Sequence, residues 1–132
     1  MILVDSSVWT DFFSPASGRA GDESRRMISE AEPFALTGVV VAEILQGLTR
    51  HVGRIERHLS QWELLDPSGF PTHRKAAAIF RLARAQGASL TTIDALITAI
   101  ALQHRVTVFT RDKDFSRIAR LTGLSLHPLP RP

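Results

Sequence analysis

The chain has 132 residues, 16 Lys and Arg against 13 Asp and Glu for a net charge of +3, 44% hydrophobic residues and no cysteine. A chain of this length buries roughly two thirds of its unfolded surface, so residues 1–132 are expected to form one domain without disulfides, and the absence of Cys excludes a thiol nucleophile and every Cys-ligated zinc or iron–sulfur site. No apolar run approaches the roughly 18 residues that span a bilayer, and Asp5 interrupts the opening Met1-Ile-Leu-Val before a signal-peptide core can form, so a cytoplasmic protein without membrane contact is expected.

Ile2-Leu3-Val4 reads as a short buried strand ended by the capping signal Asp5-Ser6-Ser7, after which Val8, Trp9, Phe12 and Phe13 recur at helical spacing until Ser14-Pro15. A helix is predicted from Asp22 to Glu32, a strand from Phe34, and an amphipathic helix carrying Val41, Ile44, Leu45 and Leu48 at i, i+3, i+4 and i+7. Another helix is predicted over 51–61, a third strand over 62–66, and helices over 72–86 and 91–104. Val106 to Thr110 is the most strand-like segment, followed by a helix over 112–122 that Gly123 stops and a last edge strand over 124–127. Strands alternating with helices predict an α/β class chain, a three-layer α/β/α sandwich on a short, mainly parallel sheet.

In such a sheet ligands gather beyond the carboxyl ends of the strands. Asp5 follows the first strand, Asp112 follows the strand over 106–110 with Asp114 two residues on, and Glu43 and Asp94 lie in the first turns of their helices. Each has an ordinary structural explanation. Asp5 and Asp112 suit N-caps, Thr91-x-x-Asp94 is a capping-box variant, and acids in a first turn complement the helix dipole. Glu43 flanks an apolar stripe without a basic partner at i+4, which calls for a cation. Two carboxylates about 5 Å apart repel by roughly 3 kcal/mol at an effective dielectric of 20, and a bound divalent ion removes that cost. Oxygen ligands without Cys or a closely spaced His pair select Mg²⁺ or Mn²⁺ over zinc, and such clusters support attack on phosphodiesters.

Four segments, Ile2-Leu-Val-Asp5-Ser-Ser-Val-Trp9, Glu43 within Val-Val-Ala-Glu-Ile-Leu-Gln-Gly47, Thr91-Thr-Ile-Asp94-Ala-Leu-Ile and Val108-Phe-Thr-Arg-Asp112-Lys-Asp-Phe115, resemble in order and spacing the successive motifs of PIN-domain ribonucleases. The similarity is closest to the VapC toxins of toxin–antitoxin pairs and spans nearly the whole chain. It implies a metal-dependent endoribonuclease acting on RNA, with Asp5, Glu43, Asp94 and Asp112 as an acidic quartet around Mg²⁺ or Mn²⁺ and Asp114 as an accessory ligand. Ser7 and Thr110 match hydroxyl positions that orient water or carboxylates, and the resemblance further implies a homodimer and a small antitoxin partner. The alternative from another class is a non-catalytic metal-dependent or RNA-binding α/β module, which cleavage by the purified protein separates from an enzyme.

The charge is unevenly distributed, −4 over residues 1–66 and +7 over residues 67–132, where Asp94, Asp112 and Asp114 are the only acids. Stripes of Lys113, Arg117 and Arg120, of Arg50, Arg54 and Arg57, and of Arg74, Arg81 and Arg84 read as solvated helix faces or as a cationic surround for RNA. Fourteen of the basic residues are Arg, suited to bidentate phosphate contacts. His51 and His58, too far apart for a metal pair, read as surface residues. Trp9, Phe12 and Phe13 read either as core or, where exposed, as a hydrophobic seat for an antitoxin segment.

Overall fold

The computed structural model describes residues 1–131. Ile2–Val4 forms strand β1, and its Leu3 and Val4 are fully buried, as the unbroken apolar run requires of a strand covered on both faces. Around it lie β2 (Phe34–Leu36), β3 (Glu63–Leu64) and β4 (Thr107–Phe109), in the order β3-β2-β1-β4 and all parallel. Leu3 pairs with Ala35 on one side and Val108 on the other. A single parallel bridge from Val108 to Leu126 extends the sheet past β4, so the expected last strand contributes one pairing only.

The helices are α1 (Ser6–Phe13), α2 (Arg19–Ser29), α3 (Gly38–Gln46), α4 (Val52–Leu59), α5 (Phe70–Ala85), α6 (Thr92–His104) and α7 (Asp114–Thr122). Alternation along β2 shows the two faces of the sheet. Ala35 packs with Ile100 of α6, whereas the adjacent Leu36 lines a groove with Val41 and Leu45 of α3 and Leu59 of α4. Helix α1 contacts both α2 and α3, α3 contacts α4, and α5 contacts both α6 and α7, which gives the three layers. Among the described residues no helix is long and apolar enough to cross a membrane.

Several boundaries differ from the sequence pattern for identifiable reasons. Helix α2 starts at Arg19 because Asp11, on α1, accepts the N–H groups of Gly18 at 2.9 Å and Gly21 at 2.7 Å and so caps α2 from another helix. Helix α7 starts two residues late because Asp112 Oδ1 accepts the Asp114 N–H at 2.9 Å, closing a side-chain turn ahead of it. Strand β3 is shorter than expected, although the Leu65 N–H still reaches Leu36 O at 2.7 Å.

One surface assignment is corrected, that of His58, and the open alternative for Trp9 is decided. His58 is half-buried, stacked on Phe12 with ring centroids 5.4 Å apart and packed edge-on to Trp62 at 4.9 Å; burial among these rings pushes its pKa below the ordinary imidazole value. Trp9 is 0% exposed and meets Phe12, Phe13, Phe34, His58 and Trp62, so it is core and offers no docking surface, whereas Phe12 and Phe13 remain partly exposed. Trp9 Nε1 and His58 Nε2 are buried without a hydrogen-bond partner among the described residues.

Candidate metal centre

The strand order places the topological switch at β1 and β4: the chain leaves β1 for β2 on one side and returns from β3 across the sheet to β4 on the other. Ligand crevices form at such a point, beyond the carboxyl ends of the strands. Asp5 emerges there directly from β1, with its N–H on Phe109 O at 2.9 Å tying the two strand ends together.

Asp5 is 6% exposed, and its carboxylate is held by two hydroxyls. Ser7 Oγ donates to Asp5 Oδ2 at 2.8 Å and Thr110 Oγ1 donates to the same oxygen at 2.9 Å. Each hydroxyl oxygen in turn accepts a backbone N–H, Arg111 onto Ser7 at 3.0 Å and Asp112 onto Thr110 at 3.0 Å. The direction of every bond is thereby set: backbone donors orient the hydroxyls, and the hydroxyls fix one oxygen of Asp5.

Asp94 sits in the first turn of α6 in a full capping box. Thr91 Oγ1 accepts the Asp94 N–H at 3.0 Å, and Asp94 Oδ2 accepts the Thr91 N–H at 3.4 Å. The structural role anticipated for this acid is therefore real. Burial nevertheless pushes its pKa up against the Thr91 hydrogen bonds, and the charges of Asp5 and Asp112 push in the same direction. Glu43, half-buried on α3, is likewise raised by burial first, opposed by a hydrogen bond from Ser6 Oγ at 3.2 Å and reinforced by the charges of Asp5 and Asp94. Acids from β1, α3, α6 and the β4–α7 connection thus share one electrostatic neighbourhood. Asp114 is exposed and is not among the charges acting on Asp94 or Glu43.

Among the described residues no three His, Asp or Glu side chains lie together in an arrangement that could hold a metal ion as they stand. The donor set itself suits a hard divalent ion, being carboxylate and hydroxyl oxygen throughout, and such an ion would offset both the burial that chiefly raises Glu43 and Asp94 and the lesser repulsion among the acids. Sequence reasoning named Ser7 and Thr110 but missed Ser6, whose hydroxyl holds Glu43 across 37 residues of chain. The signal was the doubled Ser6-Ser7, since neighbours at a helix start point about 100° apart and serve two different acids. It also missed Asp11, which lies mid-helix and shows no pattern of its own. The Arg117 guanidinium donates to Gly87 O at 3.2 Å, so that member of the α7 stripe has a structural partner.

Comparison with known proteins gives three findings. The family model of the PIN domain matches residues 2–121. Ribonuclease VapC11 of Mycobacterium tuberculosis is 36% identical over 129 residues, 94% of this chain and 96% of that protein. In fold, FitAcB from Neisseria gonorrhoeae superimposes with a TM-score of 0.71 at 24% identity over 97% of both chains. VapC20 of Mycobacterium tuberculosis, a toxin that cleaves the sarcin–ricin loop, gives 0.73 at 16% identity over 100% of both. With the parallel sheet, the acids at its switch point and a sequence match along nearly its whole length, the chain belongs to the PIN-domain family and stands among its VapC members.

Proposed function

We propose that this protein is a divalent-metal-dependent endoribonuclease, the toxin of a type II toxin–antitoxin pair, with Asp5, Glu43, Asp94 and Asp112 holding Mg²⁺ or Mn²⁺. One observation carries the reading: acids from four separate segments act electrostatically on one another at the switch point of a parallel sheet, with no basic side chain among the causes that shift Glu43 or Asp94. The relatedness to a VapC ribonuclease at 36% identity supports RNA as the substrate. When bound, the ion supplies Lewis acidity toward phosphate oxygen and an activated water.

The protein's own groups prepare that chemistry. Ser7 and Thr110 both bond Asp5 Oδ2, which leaves Oδ1 for the cation. Thr91 sets the rotamer of Asp94, and Ser6 that of Glu43. Asp112 is favoured over Asp114 as the principal ligand because its charge acts on Asp94, leaving Asp114 an accessory role. Cleavage of a single-stranded RNA should require Mg²⁺ or Mn²⁺, stop in EDTA and leave 5′-phosphate and 3′-hydroxyl ends. Asp94→Asn should reduce the rate by at least the roughly 100-fold that losing even a supporting residue around a metal can cost. End groups carrying 2′,3′-cyclic phosphate would make the ribose hydroxyl the nucleophile and overturn the mechanism.

A homodimer and a small antitoxin complete the proposal, in a cytoplasmic setting. Solved relatives include toxin–antitoxin complexes, among them VapBC2 from Rickettsia felis bound to a DNA fragment from its promoter, with a TM-score of 0.75. Since Trp9 is sealed in the core, the antitoxin's seat on this chain moves to the partly exposed Phe12, Phe13 and Trp62 and the apolar groove of Val41, Leu45 and Leu59 beside them.

A further inference from the structure

His58 is a titratable group that the metal chemistry does not use, and its setting resists a proton. Its ring centroid lies 5.4 Å from that of Phe12, 5.6 Å from Phe13, 6.2 Å from Trp9 and 4.9 Å from Trp62. Gln61 Nε2 donates to His58 O at 2.8 Å and stands 3.4 Å from His58 Nδ1, so Nδ1 is the acceptor of the neutral ring and the hydrogen is assigned to Nε2. Nε2 is the buried atom that has no partner among the described residues. A second proton would go onto Nδ1 and meet the Gln61 amide donor against donor.

The surroundings offer that charge no anion. Helix α1 presents Trp9, Phe12 and Phe13 to the ring, and the turn after α4 presents Gln61 and Trp62, none of them ionisable. Helix α2 brings a cation to the border, the Arg25 guanidinium 4.7 Å from the centre of the Phe12 ring. On α4 itself Arg54 stands one turn before His58, Arg57 leans back toward Gly53, and Glu56 lines the groove beyond. Ring faces attract a cation, yet burial wins and lowers the pKa of His58. Acid therefore favours any conformation that brings the ring to water, and the ratio of open to closed rises about tenfold for each unit by which burial has lowered the pKa.

The same rings shape the antitoxin seat. Phe12, stacked on the imidazole at an interplanar angle of 15°, is partly exposed, and Trp62, also partly exposed, lines the groove of Val41, Leu45 and Leu59. We propose that His58 is a proton-operated latch beneath that seat: neutral, it holds Phe12 and Trp62 in the packing that the partner segment meets, and protonated, it leaves the cluster and loosens both rings, so that mild acid weakens the seat. The proposal rests on the placement of the antitoxin on this face and adds how the contact is regulated.

The chain has two Trp and no Tyr, so its indole emission comes entirely from the two rings that flank His58. The test is that emission, with acrylamide quenching, followed in the free protein from pH 8 to pH 5. In the wild type, emission should shift to the red and quenching should rise as pH falls, with one midpoint below the ordinary imidazole value of about 6.5, since Trp9, 0% exposed when the latch is closed, becomes accessible. His58→Phe should abolish both changes while His51, His73, His104 and His127 still titrate; His58→Gln, equally unable to titrate, keeps the test decisive if the Phe variant does not fold. The same red shift in a folded His58 variant overturns the latch, as does a loss of intensity alone, which would mean a proton taken up with the cluster still closed. The seat is tested apart from the latch by Leu45→Arg, which should keep the wild-type titration and lose the complex with co-expressed antitoxin. A complex that survives Leu45→Arg overturns the placement of the antitoxin, and one whose dissociation is no faster at pH 5.5 than at pH 7.5 overturns the regulation.

Discussion

At the scale of single residues, the site depends on hydroxyls that carry no charge. Ser7 and Thr110 converge on one oxygen of a buried carboxylate while each is oriented by a backbone N–H, and their own oxygens lie 3.4 Å apart. Such an arrangement holds a ligand in place before the metal arrives, the usual task of groups behind a metal's direct partners. Ser7→Ala removes one donor to Asp5 and leaves the Arg111 N–H without its acceptor. Cleavage, followed as initial rate against Mg²⁺ concentration, should need more metal and run about 10- to 100-fold slower. The midpoint of urea unfolding without metal should shift by only about 1 kcal/mol, the value of one hydrogen bond. A stability loss that matched the loss of rate would make Ser7 a fold residue and remove it from the site. The same hydroxyls were visible in the sequence through the resemblance of their segments to PIN-domain motifs. Ser6 and Asp11 were not, since what defines them is a partner on another helix.

Elements differ in how far their own sequence determines them. Strand β4 and helix α6 were legible because a β-branched run and a clean apolar stripe with a capping box specify them locally. The start of α2 was not, because its cap is supplied from α1 by Asp11; His58 was misplaced, and Trp9 left open between core and surface, because helix-by-helix periodicity cannot show six rings from α1, β2, α4 and the loop after α4 meeting. The α1–α2 contact also sets a steric condition. A Cβ on Gly21 would stand 2.9 Å from Ser17 Cβ and 3.1 Å from Phe12 Cα, the latter backbone that cannot turn aside. Gly21→Ala should therefore cost about 1–3 kcal/mol despite alanine's better helix propensity. Gly53 in α4 is the contrast: its nearest neighbour is the movable Arg57 guanidinium at 3.5 Å, so Gly53→Ala should stabilise by about 0.5–1 kcal/mol. Paired urea titrations measure both, and the same sign in the two variants would show that helix propensity, not the close approach, decides.

For the whole molecule, two buried acids away from the rim set the response to acid. Burial would raise Asp11, but the N–H groups of Gly18 and Gly21 and the charges of Arg111 and Arg25 outweigh it, and its pKa is lowered. Glu23 is lowered by its hydrogen bonds from Arg26, against burial, with His127 adding to the effect. A depressed carboxylate contributes stability that is complete above its unfolded value, near pH 4, and is lost as pH falls through the folded value. Thermal midpoints should therefore fall below pH 4, in addition to the stability that the half-buried His58, with its lowered pKa, gives up as pH drops below the ordinary imidazole value, with Glu23→Gln flattening the fall below pH 4. An equally steep fall in the variant would move the acid sensitivity to other groups. Glu23 also holds His127 at 3.0 Å, and Arg19 donates to Pro130 O at 2.7 Å, so the tail is fastened to α2. Its bridge to β4 accounts for both main-chain groups of Val108, whose N–H donates to Ser125 O at 3.0 Å and whose carbonyl accepts from His127 at 2.8 Å. Those two bonds deny a neighbouring molecule the open side of β4, the kind of unpaired margin along which sheets stack into aggregates. On the opposite margin β3 is only two residues long, too short to template much. A chain ending at Leu124 should accordingly scatter light on refolding at concentrations where the full chain stays clear, which makes this inconspicuous tail the protein's guard against self-polymerisation.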